Sequence, residues 1–204
     1  MTNGERFVTT TNILMAGVGG QGVLMASEAL ALAALAEGLE AKQSEVHGVA
    51  QRGGSVVSHV RIGHRVHSPL IRCGELDILY AIERLEALRY AHYLKPGGAV
   101  FMDDRAIRPI QLPGEAEKPY PEGVAGFLTE RGFDVHVIDA LDTAVALGDK
   151  RCANVVLLGA LSSHIALADA SWRHAIDERF PPRARELNIR AFDEGRRLAG
   201  IAQA

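Results

Sequence analysis

Two stretches of this sequence combine residue types at spacings that could do chemistry. Gly17, Gly19, Gly20, Gln21 and Gly22 separate an apolar run ending at Ala16 from a longer one beginning at Val23. A strand, a glycine turn and a helix in that order aim several backbone N–H groups at the positive end of the helix. A phosphate or another anion suits such a place. Glycine lets the chain turn sharply and lets a ligand approach the backbone with no Cβ in the way. The Gln21 amide could donate to an oxygen-rich ligand or to a neighbouring loop. The second stretch is Glu45–Gly54, where His47, Gln51 and Arg52 stand among Gly48, Gly53 and Gly54. Arg52 could offer a bidentate fork to phosphate or carboxylate. It could equally pair with a glutamate in a subunit contact, and the two uses are compatible.

Other constellations carry less. Gly17, Gly19 and Gly22 fit the G-x-G-x-x-G fingerprint of dinucleotide sites, which also needs an acidic residue about 20 positions on, at a strand end, to hold a ribose. Glu40 and Glu45 are the candidates, and neither clearly follows a strong strand. A ligand-free turn that packs helix on sheet would explain some of the glycines. His59, His64 and His67 fall on different faces of a hairpin or in its turn, with no cysteine or carboxylate to complete a set, so no metal site is expected. Ser162-Ser163-His164 lies in a helical pattern and makes no triad. Glu83 and Glu86 read as acidic residues at a helix start. Cys73 and Cys152 are the only cysteines. An iron–sulfur cluster usually takes four closely spaced thiolates, so redox centres would belong to a partner.

The elements that must position these residues alternate. Strands are predicted at 12–16, 41–44, 55–62, 77–82, 99–102 and 133–138, with 66–71 returning antiparallel to 55–62. Helices are predicted at 23–37, capped by Gly38, and at 83–94, 143–168 (broken near Gly159), 172–180 and 183–198. Lys95–Gly98 reads as a turn. Arg105–Gly126, with Pro109, Pro113, Pro119 and Pro121, reads as an irregular surface excursion. The fold class expected is α/β, a Rossmann-like, mostly parallel sheet with flanking helices and one antiparallel insertion, over residues 1–204 as one domain. At 204 residues such a domain buries roughly 70% of its unfolded surface and needs neither disulfide nor metal to fold. Twenty-two basic and 25 acidic residues leave a net charge of −3, which favours neither nucleic acid nor an anionic membrane. No apolar run is long enough to span a bilayer, and the polar N-terminus lacks the order of a secretory signal. A cytoplasmic location is expected.

Taken together, Gly17–Gly22, Ser44–Gly54 and Val60–Gly63 resemble the gamma-type domain of 2-oxoacid:ferredoxin oxidoreductases. Asp77 with Glu83, Glu86 and Ala87, Leu94–Gly98, Asn154 with Leu158 and Gly159, and Asn188, Phe192 and Gly195 extend the resemblance over nearly the whole chain. It is greatest to the stand-alone subunit of the indolepyruvate branch. The resemblance implies a non-redox subunit of a heteromer that oxidatively decarboxylates a 2-oxoacid to an acyl-coenzyme A. Thiamine diphosphate, magnesium and iron–sulfur clusters would sit on a large partner subunit, which passes electrons to ferredoxin. Gly17, Gly19, Gly20, Gln21 and Gly22 would face coenzyme A phosphates or a partner loop. Glu45, His47, Gln51, Arg52, Gly53 and Gly54 would line the subunit junction near the thiamine site, with His47 and Arg52 as its wall. The alternatives are a stand-alone NAD- or FAD-dependent reductase, a ligand-free structural module, and a gamma subunit acting on pyruvate, branched-chain 2-oxoacids or phenylglyoxylate.

Overall fold

In a computed structural model that describes residues 10–47, 54–108 and 119–200, six strands form one sheet. They are β1 (Thr11–Val18), β2 (Glu40–His47), β3 (Ser55–Gly63), β4 (Leu76–Ala81), β5 (Leu94–Asp103) and β6 (Asp134–Ile138). Their spatial order is β2-β3-β1-β4-β5-β6. β1, β4, β5 and β6 are parallel, and β3 is antiparallel to both its neighbours, β1 and β2. Leaving β1, the chain crosses to one side of it for β2, and after β3 it crosses to the other side for β4. Crevices at the carboxyl ends of strands open where strand order reverses in this way.

The alternation within β1 fills two cores. Ile13 and Met15, with Tyr80 and Phe101, pack beneath α1 (Val23–Ala36), α4 (Ala140–Ala146), α5 (Ala153–Leu161), α6 (Asp169–Arg179) and α7 (Pro182–Leu198). Leu14 and Ala16, with Leu79 and Val100, pack beneath α2 (Arg84–Tyr90) and α3 (Val124–Glu130). A helix enclosed on several sides needs no polar stripe, and α1 is accordingly apolar on most faces. It ends in a Schellman turn, with Gly38 at φ +75° and the Leu39 N–H on the Ala34 carbonyl.

The structure corrects several expected boundaries. The second strand runs through Glu45 to His47, because pairing with β3 supplies backbone partners that the local composition does not suggest. Residues 66–71 form no strand; β3 finds its antiparallel partners in β2 and β1 instead. Lys95–Gly98 bulges within β5, where the register against β4 shifts between Leu76 and Ile78. The helical stretch breaks at Gly148 (φ +107°), not at Gly159. Gly159 lies inside α5, where that helix packs against α7 near Gly195. A Cβ on Gly159 would stand 2.1 Å from the Phe192 carbonyl oxygen, and one on Gly195 would stand 1.8 Å from that of Val156. Two glycines are what allow these backbones to touch. Among the described residues no helix is long and apolar enough to cross a membrane.

Candidate functional site

The glycine turn sits at the carboxyl end of β1 and is laced to its surroundings by Gln21. Its Oε1 accepts the Val18 N–H at 2.5 Å, and its Nε2 donates to the Ile82 carbonyl at 3.1 Å, beyond the end of β4. Gln21 therefore ties the two strands that flank the crevice. The Gly19 N–H donates to the Gly54 carbonyl at 2.8 Å, which fastens the turn to the start of β3. Gly20 and Gly22 adopt φ of +96° and +78°. Gly22 is the N-cap of α1, and its carbonyl accepts from Asn154 Nδ2 at 3.0 Å. A Cβ at Gly22 would lie 2.6 Å from that nitrogen, so both conformation and space demand glycine.

Beside this turn opens a hollow of about 270 Å³, lined by Gly20, Gly22, Arg151, Asn154, Arg183 and Asn188 among others. Three helices begin at its wall: α1 after Gly22, α5 after Cys152 and α7 after Pro181. A helix N-terminus carries roughly half a positive charge. α1 also offers first-turn N–H groups, while Ala153 at the start of α5 already donates to the Lys150 carbonyl and Ala184 of α7 to that of Pro181. Three N-termini meeting in one place favour negative charge there, offset in part by Asp149, which lines the same hollow. Arg151 and Arg183 add two guanidinium groups. Arg151 grips Asp149 with contacts down to 2.5 Å and holds that carboxyl down at about 2, so Asp149 stays ionised. Arg183, in the first turn of α7, is exposed. Asn154 is 2% exposed; its backbone carbonyl accepts from the Tyr80 hydroxyl at 2.6 Å, and its side-chain Oδ1 has no partner among the described residues. Burial, helped by Asp149, pushes the Cys152 thiol up, and its S–H donates to the Asp149 carbonyl, so it is a poor nucleophile.

Asn154 and Asn188 carry part of the family resemblance, but nothing local in the sequence marks Arg151, Asn154, Arg183 or Asn188 as sharing a hollow with Gly20 and Gly22. Only the convergence of three helix starts unites them. Of the second predicted stretch, Glu45 lies in β2 opposite Ser58 and accepts from Gln43 Nε2 at 2.8 Å. The backbone of His47 ends β2 opposite Val56, and Gly54 meets the glycine turn as described. Gln51, Arg52 and Gly53 lie outside the described residues. A second hollow, about 360 Å³, is lined by Val18, Gly19, Gly20, Val23 and Val56 among others.

His59, His64 and His67 do not converge. The His59 ring is buried, which lowers its pKa, and its Nδ1 accepts the Ile71 N–H at 3.3 Å; His64 and His67 are exposed. Glu83 is a buried N-cap of α2 that accepts the Glu86 N–H at 3.0 Å. It also accepts the Ile107 N–H and the Tyr120 hydroxyl, pinning both flanks of the proline-rich excursion. That excursion ends at Gly123, since α3 starts at Val124.

Asp103, 3% exposed at the end of β5, is the titratable group displaced furthest toward neutrality among the carboxyls with a resolved shift. Burial pushes it up to about 6, against the pull of Arg105. The native state then holds this proton more tightly than the unfolded chain between the ordinary carboxylate range and about pH 6. The contribution of Asp103 to stability is therefore greatest at the acid end of that window and declines as pH rises through it. After allowance for partial solvent screening, about 1–2 kcal/mol is expected. Urea unfolding from pH 4 to 7 should show that decline, and Asp103→Asn should flatten it.

The chain matches the pyruvate ferredoxin/flavodoxin oxidoreductase family over residues 12–198. It is 38% identical over 192 residues to the indolepyruvate oxidoreductase subunit IorB of Thermococcus kodakarensis, covering 92% of this chain and 95% of that subunit. The gamma subunit of a keto/oxoacid ferredoxin oxidoreductase from Geobacter sulfurreducens superposes with a TM-score of 0.71 at 26% identity, over 94% of this chain and 99% of that one. A 2-oxoglutarate:ferredoxin oxidoreductase from Magnetococcus marinus, solved with 2-oxoglutarate, coenzyme A and succinyl-CoA bound, shares the fold. Its TM-score is 0.72 at 24% identity, over 96% of this chain and 32% of that longer one. With the glycine turn, the single mixed sheet and near end-to-end likeness in agreement, the chain belongs to the pyruvate ferredoxin/flavodoxin oxidoreductase family.

Proposed function

We propose that this chain is the small, non-redox subunit of a 2-oxoacid:ferredoxin oxidoreductase, acting on aryl pyruvates such as indolepyruvate, and that it holds coenzyme A. The observation that carries the coenzyme A assignment is the meeting of three helix N-termini and two arginines around the hollow beside Gly20 and Gly22. A diphosphate is the group such a field selects. Gln21 keeps the turn in shape, and Gly22 keeps Asn154 in place. Positioning of that kind can remove several kcal/mol from a barrier with no covalent role for the protein.

The residues of this chain do not suit an iron–sulfur cluster, since Cys73 is exposed, Cys152 is buried and there is no further cysteine. The sequence also has no Gly-Asp-Gly…Asn motif of the kind that holds a metal and thiamine diphosphate. Those groups, which when bound supply carbanion stabilisation and electron transfer, are assigned with magnesium to a large partner subunit that hands electrons to ferredoxin. Glu45, His47, Gln51, Arg52, Gly53 and Gly54 are assigned to the contact with that partner, as one face of its active site. Residues 1–204 act as one gamma-type unit, in the cytoplasm. The aryl preference is favoured by the 38% identity to an indolepyruvate oxidoreductase subunit. Co-expression with the adjacent large subunit, followed by viologen reduction with a panel of 2-oxoacids, tests this reading. Turnover should require both chains, prefer aryl pyruvates and yield an acyl thioester only with coenzyme A. Tight dinucleotide binding and turnover by the small chain alone would overturn it.

A further inference from the structure

The sheet's outer edge brings together three side chains that the function above does not use. Asp134 and His136 are two residues apart on β6, so they project from the same face of the edge strand. His164 reaches them from the single 3₁₀ turn Ser162–His164 that follows α5. Asp134 Oδ2 lies 3.1 Å from His136 Nε2 and 3.5 Å from His164 Nε2, and the three potential ligand atoms are all within 4.8 Å of one another. Ligands on a tetrahedral ion with Zn–N bonds of 2.0–2.1 Å stand about 3.3 Å apart, close to both separations. Phe101, fully buried, forms the floor: His136 stacks on it at 4.5 Å and 8°, and His164 meets it edge-on at 4.9 Å. Both rings are thereby oriented before any ion arrives.

The hydrogen bonds decide which nitrogen is available. The Ser163 hydroxyl donates to the Ala160 carbonyl at 2.7 Å, so its proton is committed. Its oxygen lies 2.9 Å from His164 Nδ1 and must accept there, which places the imidazole proton on Nδ1. Nε2, the other ring nitrogen, is left facing a carboxylate oxygen of Asp134 at 3.5 Å. We propose that Asp134, His136 and His164 bind a divalent transition-metal ion, zinc foremost, with Ser163 fixing the tautomer of one ligand. Two imidazoles and one carboxylate suit such an ion better than magnesium or calcium, which prefer all-oxygen sets. Bound there, the ion clamps the free edge of the sheet to the end of α5 and keeps a coordination position toward solvent.

The test uses the full chain, freed of metal with a chelator, and zinc chloride in a calorimetric titration. One ion per chain should bind saturably. His136→Gln or His164→Gln should weaken binding at least about 100-fold, and Ser163→Ala about 10-fold through loss of the ring's orientation. In the unaltered chain, zinc should protect His136 and His164, but not His174, from diethylpyrocarbonate, read by peptide mass, which makes the result independent of how any variant folds. No saturable uptake, uptake unaffected by both glutamine substitutions, or no selective protection would overturn the site. In that event the three residues form an ion-paired clasp alone.

Discussion

Replacing Gly195 by alanine is expected to cost about 4 kcal/mol or more and to leave little folded protein at ordinary temperature. The added methyl would stand 1.8 Å from the Val156 carbonyl oxygen and 2.8 Å from its carbon. Those atoms belong to helix backbone, so no rotamer change relieves the overlap; α5 and α7 must separate. Their separation would open the core around Trp172 and Phe192, both fully buried and in ring contact at 5.6 Å. Gly159→Ala should behave alike, since its methyl meets the Phe192 carbonyl. Gly126→Ala is the contrast. That glycine is on the exposed side of α3 with nothing within 4 Å of the new Cβ, so a gain of about 0.4–1 kcal/mol is expected from the stiffer unfolded chain. Urea midpoints of the three variants would check both signs.

The second large effect concerns coenzyme A. In the assembled enzyme, Arg151→Ala with Arg183→Ala should raise the KM for coenzyme A about 10- to 100-fold, the scale of one or two charge-assisted hydrogen bonds. The KM for the 2-oxoacid should hardly move. Arg151 matters doubly, because its removal leaves Asp149 as an uncompensated negative charge at the rim of an anion site. Arg151→Ala alone should therefore weaken coenzyme A more than Arg183→Ala alone, and added Asp149→Asn should restore part of the loss. Steady-state kinetics at fixed ionic strength measures all four. An unchanged KM in the double variant would remove the arginines from the site and leave only the helix termini.

Much of this was legible in the residues. Strand, glycine turn and apolar helix are visible at Ile13–Ala36 because each follows from short-range rules: apolar run, positive-φ glycine, helix former. The C-cap at Gly38 is legible for the same reason. What could not be read is what depends on distant partners. β2 continues through Glu45 to His47 because β3 pairs with it, a fact of register and not of composition. Gly159 looks like a helix breaker until Gly195 is placed against it. His59, His64 and His67 are close in sequence and are expected to form no metal set; the cluster of Asp134 and His136 with His164 draws its third member from a distant segment, which no spacing rule reveals. The hollow beside Gly20 and Gly22 follows that pattern, since α1, α5 and α7 lend their first turns from segments far apart in the chain.

Hydrogen exchange on the assembled complex, with and without coenzyme A, bears most directly on the proposed role. Among the first-turn amides, those of Val23, Leu24 and Met25 in α1 precede the first intrahelical bond, Ala26 N–H to the Gly22 carbonyl. Ala153 of α5 donates to the Lys150 carbonyl, and Ala184 of α7 to that of Pro181. Amides without an acceptor exchange readily when free. If the ligand's phosphates lie where these helices meet, peptides spanning Gly20–Met25, Cys152–Val156 and Pro182–Glu186 should all slow on its addition. Protection confined to the large subunit, with those three segments unaltered at saturating coenzyme A, would contradict the assignment.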